Sequence, residues 1–273
     1  MRGVVLTEKR GAVLIITINR PAVRNAMNAE SARALSDALD ALDSDPGLQL
    51  GILTGAGAFF SAGADLKVAA ETGSSGAVTE RGAMGMCALP PGKLLIAAIE
   101  GGAVGGGLEM ALACDLIVAA HDAKLGLPEV RRGMVAMGGG LLRLPSRIAP
   151  NIATEVAVTG ELYPASFFHR HGLVNRLAAP GRALDEAFDL AALILRNGPG
   201  ALAATVAILR ARSGPLTELE WARQRELARQ ARNSAEGNEE VGPSGEESQA
   251  NVCARRRSPA PDSVRTADPK AQP

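Results

Sequence analysis

The sequence lacks the features that mark secreted, metal-binding or membrane-spanning chains. Its 273 residues include 3 cysteines and no Cys-x-x-Cys pair, which disfavours both a disulfide framework and a zinc knot. Apolar runs such as Leu94–Ile99 and Leu116–Ala120 are far too short to cross a bilayer. Charged residues at Glu8–Arg10 interrupt any secretory hydrophobic segment near the start. We therefore expect a cytoplasmic protein with reduced thiols and no membrane partner.

The chain also has no net charge, and it lacks the common nucleotide-binding and serine-nucleophile motifs. The 29 basic and 29 acidic side chains cancel, so nothing in the overall charge attracts nucleic acid. No Gly-x-Gly-x-x-Gly, Walker-type phosphate loop or Gly-x-Ser-x-Gly occurs. His169 and His171 are two residues apart on a predicted helix, do not share a face and are poor joint metal ligands. We expect no bound metal.

The chain does contain enough apolar material, 47% of its residues, for a large α/β core. Asn28 is a candidate cap for a helix whose apolar positions are spaced three and four apart. Strands that alternate with helices indicate a largely parallel sheet. The predicted strands are Val13–Ile18, Leu50–Thr54, Leu94–Ile99 and Leu116–Ala119, and the predicted apolar helix face is Ala32, Leu35, Leu39 and Leu42.

Composition divides the chain into three predicted parts. Residues 1–182 form the α/β core, and residues 183–237 form a helical C-terminal subdomain. Residues 238–273 contain five prolines and no leucine, isoleucine or aromatic residue, which is typical of a disordered tail. Within the core, residues 68–92 lose periodicity and collect glycine and proline, so we predict a long loop that is either a functional lid or a disordered insertion.

Two glycine-rich segments, Phe60–Lys67 and Glu100–Glu109, each follow a predicted strand. Glycines at a helix start expose unpaired N–H groups that favour an anion, or an oxyanion formed only in a transition state. A tight turn with close packing is the alternative. Glu109 and Glu129 can face one pocket and divide acid and base roles. Taken singly, Glu109 could merely complement the helix dipole, and Glu129 could merely pair with Arg131 or Arg132.

The ordered set of motifs resembles the enoyl-CoA hydratase/isomerase (crotonase) family from about residue 4 to about residue 236. The matching pieces are Asn19-Arg20-Pro21 with Arg24–Asn28, Phe60–Lys67, Gly101–Asp115, Pro128-Glu129 with Gly138–Gly140 and Arg143–Pro145, and Gly172–Asn175. The resemblance implies a spiral of ββα units followed by a helical region that usually builds a trimer or a dimer of trimers. It also implies an acyl-CoA thioester as substrate and no separate cofactor, because coenzyme A is carried by the substrate.

The resemblance assigns site residues by position. The amides of Ala64 and Gly106 correspond to the oxyanion hole that holds the thioester oxygen. The coenzyme A contacts correspond to Arg24, Ala26, Ala62, Asp65, Leu66 and Lys67. Having both glutamates favours syn hydration of a 2-enoyl-CoA, with Glu109 activating the water and Glu129 protonating C2. Isomerisation, a carnitinyl-CoA-type dehydration and a non-catalytic RNA-binding or protein-binding role remain alternatives.

The resemblance ends abruptly at Glu236-Gly237. Five prolines then stand where the family's terminal helix would run. A shifted reading frame near Gly237 and a natural lineage-specific tail both explain the change.

Overall fold

The computed structural model describes residues 3–213 and 217–233. The strands in these ranges are β1 (Val5–Arg10), β2 (Val13–Ile18), β3 (Leu50–Gly55), β4 (Val78–Thr79), β5 (Gly82–Ala83), β6 (Leu94–Ile99), β7 (Gly102–Val104), β8 (Leu116–Ala120), β9 (Lys124–Gly126), β10 (Tyr163–Pro164) and β11 (Arg176–Ala178). The α-helices are α1 (Ala29–Ser44), α2 (Leu66–Thr72), α3 (Gly106–Ala113), α4 (Gly140–Arg147), α5 (Pro150–Thr159), α6 (Ala165–Arg170), α7 (Ala183–Leu195), α8 (Pro199–Ser213) and α9 (Glu218–Asn233).

The main sheet has six strands in the order β1-β2-β3-β6-β8-β11. β1 is antiparallel to β2, and the remaining neighbours are parallel. Every side chain of β6 is buried, as expected for a parallel strand covered on both faces. The four predicted strands are confirmed, two of them extended by one residue at the carboxyl end.

Helix α1 follows the predicted pattern. The Asn28 side chain accepts from the Ser31 N–H at 3.0 Å, and the Ser31 hydroxyl accepts from the Asn28 N–H at 2.8 Å. This reciprocal pair satisfies two backbone donors at the start of the helix. The four predicted apolar positions are each fully buried.

A second, three-stranded sheet in the order β10-β9-β7 lies beyond the main one. The chain passes from β6 to β7 and then into α3, and from β8 to β9 and then into a short 3₁₀ helix at Pro128–Arg132. Each unit thus places one strand in the main sheet and one in the small sheet before turning into a helix. This arrangement confirms the expected spiral of ββα units.

The prediction of a loop or disordered insertion at residues 68–92 is wrong. Helix α2 runs into this segment, and β4 and β5 form an antiparallel hairpin within it. Ala77, Met86 and Cys87 are fully buried here. The segment is ordered because it packs on α1, a contact between residues about 40 positions apart that local periodicity does not reveal.

The three helices after residue 182 pack on the α/β layers. Ala187 and Ala191 of α7 lie in one apolar cluster with Ile52 and Ile96 of the main sheet. Arg210 of α8 forms an ion pair with Asp115 at 2.6 Å. The boundary between residues 1–182 and 183–237 stays a prediction, and the predicted tail at 238–273 lies outside the described residues.

No single helix in the described ranges is long and apolar enough to cross a membrane. Among the described helices, α7 and Pro199–Ala211 are together long and apolar enough for a membrane span, but the chain bends by 109° between them.

Candidate active site

The turn after β3 brings one of the predicted amides to the centre of the molecule. Ser61 is fully buried, and its N–H donates to Gly102 O at 3.2 Å. Gly63 has φ +82°, a conformation that only glycine adopts easily. The turn packs directly against the start of α3: a Cβ added at Gly63 would lie only 2.6 Å from Gly106 N. The next residue, Ala64, therefore has its N–H beside the start of that helix.

The second amide begins α3. Gly105 adopts φ +56°, and Gly106 is the first residue of the helix, so its N–H has no partner within the helix. Within the described part of the chain, neither Ala64 N–H nor Gly106 N–H donates a hydrogen bond. The helix dipole adds positive potential at Gly106. These two turns therefore form a place where a carbonyl or oxyanion oxygen can accept from backbone donors.

Glu109 lies one turn into α3 and is only 2% exposed. Its Oε1 accepts from the Gly140 N–H at 2.9 Å. Burial raises the pKa of Glu109 to about 7, and the negative charge of Glu129 adds to the rise. The amides of Gly140 and Gly138 and the charge of Arg143 oppose it. The carboxylate therefore accepts a hydrogen bond from the start of α4, in addition to any interaction with the dipole of its own helix.

Glu129 lies in the 3₁₀ helix after β9, against the same glycine turn. A Cβ added at Gly105 would lie 2.8 Å from Glu129 Oε1, and Glu129 Oε2 is buried without a hydrogen-bond partner. Burial raises the pKa of Glu129, opposed by its own backbone N–H and by Arg132. Arg131 pairs with Glu161 instead, so an ion pair of Glu129 with Arg131 is not formed.

The buried carboxyl of Glu109 and the half-buried carboxyl of Glu129 form an acid–base pair beside two free amides. Both favour the protonated form more than an exposed glutamate does, and Glu109 titrates close to neutral pH. Such a pair can accept a proton at one member and donate one at the other.

The loop before α1 places the other predicted contact residues. Arg24, Leu66 and Lys67 are exposed at the rim, while Ala26 is buried and Ala62 is half-buried. The Ala62 N–H donates to Arg24 O at 2.9 Å, which joins this loop to the first glycine turn.

Asp65 is directed inward rather than toward the rim. Its carboxylate forms an ion pair with Arg20 at 3.0 Å and caps α2 by accepting from the Val68 N–H at 3.3 Å. The carboxylate is therefore already committed to holding two segments of the chain together.

Sequence reasoning missed several residues that shape the site. Buried Asn25, with φ +55°, donates to Ala56 O and Phe59 O and accepts from the Arg20 N–H. Arg143 donates to Cys87 O at 2.5 Å. The signal for Asn25 is its position in an Arg-Asn-Ala motif. Arg143 also donates to Gly138 O nearby, but its partner Cys87 is 56 residues away and has no local signal.

In the described ranges, no group of three or more His, Cys, Asp or Glu side chains could hold a metal ion.

Comparison with known proteins identifies the family. A family model described as Enoyl-CoA hydratase/isomerase matches residues 8–245, so the match ends inside the predicted tail segment. Enoyl-CoA hydratase EchA19 from Mycobacterium tuberculosis is 39% identical over 211 residues, which are 75% of this chain and 79% of that protein. A carnitinyl-CoA dehydratase from Salmonella arizonae is 41% identical over 207 residues, 74% of this chain and 78% of its own length.

Solved structures give the same result. The crystal structure of enoyl-CoA hydratase EchA1 from Mycobacterium marinum superposes with a TM-score of 0.75 at 48% identity. The match covers 95% of this chain and 98% of that one. The chain therefore belongs to the enoyl-CoA hydratase/isomerase family.

Proposed function

We propose that the protein is an enoyl-CoA hydratase, a hydro-lyase that adds water across the 2,3 double bond of a 2-enoyl-CoA thioester. The observation that carries the proposal is the placement of two glutamates, the buried Glu109 and the half-buried Glu129, around a glycine turn with free backbone donors. The relatives are named as hydratases or dehydratases of acyl-CoA compounds, which supports the same reaction class.

The free amides of Ala64 and Gly106 would hold the thioester oxygen. Attack at C3 moves electron density toward that oxygen, so the transition state resembles an enolate. Donors already in place stabilise this charge without reorganisation, and each is worth about 3–4 kcal/mol.

The two glutamates would divide the proton transfers. Ionised Glu109 takes a proton from the water whose oxygen bonds to C3, and protonated Glu129 gives its proton to C2. The 2,3 double bond becomes a single bond, and one hydrogen and one hydroxyl are added overall. The raised pKa of Glu129 favours the protonated acid that this step needs.

The rim residues would hold coenzyme A. Arg24 and Lys67 are exposed cations suited to phosphate, and Ala26, Ala62 and Leu66 line the path between them and the amides. Asp65 contributes by fixing this loop through Arg20. No cofactor beyond the coenzyme A of the substrate is needed for this chemistry.

The proposal extends to assembly and setting. Exposed apolar side chains on the last helices, including Ile208 at 70% and Leu219 at 78% exposure, support a homotrimer or a dimer of trimers. We place the enzyme in the cytoplasm, in the breakdown of fatty acids or related acyl-CoA compounds.

A substrate panel tests the proposal. Purified full-length protein should consume the conjugated thioester of crotonyl-CoA and of longer 2-enoyl-CoAs, with 3-hydroxyacyl-CoA as product. The same panel should include 3-enoyl-CoA, to detect isomerisation, and carnitinyl-CoA, because one close relative is a carnitinyl-CoA dehydratase. Turnover of either of these without hydration of any 2-enoyl-CoA would contradict the proposal.

A further inference from the structure

Met84 has an unusual backbone for a buried methionine. It is 8% exposed and has φ +56°, and among the described residues only Arg24 and Asn25 share a positive φ without being glycine. Left-handed backbone is rare for a side chain of this size, and such residues concentrate at functional sites.

The tip of the Met84 side chain lies over the start of α3. A Cβ added at Gly106 would lie 3.1 Å from Met84 Cε and 3.2 Å from Met84 Sδ. Because an acceptor of the Gly106 N–H must lie about 2.9 Å from that nitrogen, the methionine tip borders the first carbons of an acyl group held there.

The backbone around Met84 is held by the segment before β4 on one side and by α1 on the other. Its N–H donates to Ala77 O at 2.7 Å. The next residue, Gly85, is so close to the helix that an added Cβ would lie 2.1 Å from Ala32 O. The Ser36 hydroxyl donates to Gly85 O at 2.9 Å.

An ion-pair cluster holds the β4–β5 hairpin, which directly precedes Met84, against α1. Arg81 is 9% exposed and donates to Asp40 at 2.9 Å and to Asp43 at 3.1 Å, both on α1. These contacts hold the backbone beside Met84, so the conformation of the Met84 side chain sets the space above Gly106.

We propose that Met84 is a specificity-determining residue that limits the substituent accepted at C2 of the acyl group. The proposal rests on the proposed function, because it requires the thioester oxygen to bind the Gly106 amide. Met84 then selects straight-chain 2-enoyl-CoAs against those with a methyl branch at C2. It does not set the length of the chain, because its tip borders the first carbons.

The test compares crotonyl-CoA, 2-methyl-2-butenoyl-CoA and longer straight 2-enoyl-CoAs as substrates. Met84→Ala and Met84→Gly both remove the tip, and glycine also relieves the left-handed backbone, so at least one variant should fold. A methylene in an apolar pocket changes discrimination by about 10–200-fold. We therefore expect the ratio of kcat/KM for the 2-methyl substrate to that for crotonyl-CoA to rise at least tenfold.

Met86→Ala is the matched control, because Met86 is fully buried two residues away and is not among the nearest contacts of Gly106. It should lower stability without moving the ratio. An unchanged ratio in both Met84 variants, an equal rise in Met86→Ala, or a change confined to chain length would overturn the inference. Absence of hydration of every 2-enoyl-CoA by the wild-type protein would instead contradict the proposed function.

Discussion

Replacing Glu109 by glutamine should change how stability depends on pH. The carboxyl group is 2% exposed, and its pKa rises from 4.5 to about 7 because burial disfavours the ionised form. A pKa difference of about 2.5 corresponds to about 3 kcal/mol. Between these two pH values the folded state keeps the proton and the unfolded state releases it, so raising the pH destabilises the folded state.

The stabilisation from the protonated carboxyl is therefore fully present below pH 4.5 and is lost as the pH rises through about 7. Glu109→Gln removes this titration. The free energy of unfolding of the variant, relative to wild type, should increase by about 3 kcal/mol from pH 4.5 to pH 8. The lost acceptor for one backbone amide lowers the variant's stability equally at every pH and does not affect this difference.

Urea unfolding followed by circular dichroism, at one protein concentration and several pH values, measures the effect. Glu71→Gln, which removes an exposed carboxylate, is the control and should leave the pH dependence of wild type unchanged. Glu129 is present in both proteins, and its repulsion with ionised Glu109 is part of the difference that the comparison measures. A constant difference between Glu109→Gln and wild type across this range would refute the assignment of a raised pKa to the buried carboxyl.

Three further changes test the site. Glu129→Gln should lower kcat for hydration by about 10²–10⁴-fold while coenzyme A binding, measured by calorimetry, persists; near-normal turnover would contradict its role as the acid. Gly63→Ala should abolish turnover, because the added Cβ would lie 2.6 Å from Gly106 N. Gly73 has a similar φ but open space around it, so the control Gly73→Ala should lose stability and keep its activity. Equal activities of the two variants would exclude the packing argument. Asp65→Asn leaves Arg20 without its buried ion-pair partner and should lower stability by about 3–5 kcal/mol, as measured by thermal unfolding. In steady-state kinetics it should raise KM more than it lowers kcat.

The order of local elements follows from the sequence to a large extent. Val13–Ile18 and Leu94–Ile99 form strands with the predicted bounds, because short β-branched and aliphatic runs have few alternatives when buried on both faces. The cap at Asn28 and the face that begins at Ala32 are local patterns, and both form as predicted.

Long-range packing determines what the sequence could not show. The β4–β5 hairpin, which directly precedes Met84, is held on α1 by contacts between Arg81 and Asp40, which are 41 residues apart. Nothing near Met84 in the chain specifies these contacts, and local sequence alone therefore predicts a loop or a disordered insertion there.

The candidate site shows the same division between local pattern and tertiary contact. The sequence by itself determined which groups are present: Glu109 one turn into a glycine-started helix, and Glu129 after a proline. Only the tertiary structure decided their chemistry, because the pKa of a carboxyl group depends on the solvent it loses and the donors it gains. Gly140, which donates to Glu109 at 2.9 Å, is 31 residues along the chain, and the burial of Glu129 depends on its packing against Gly105.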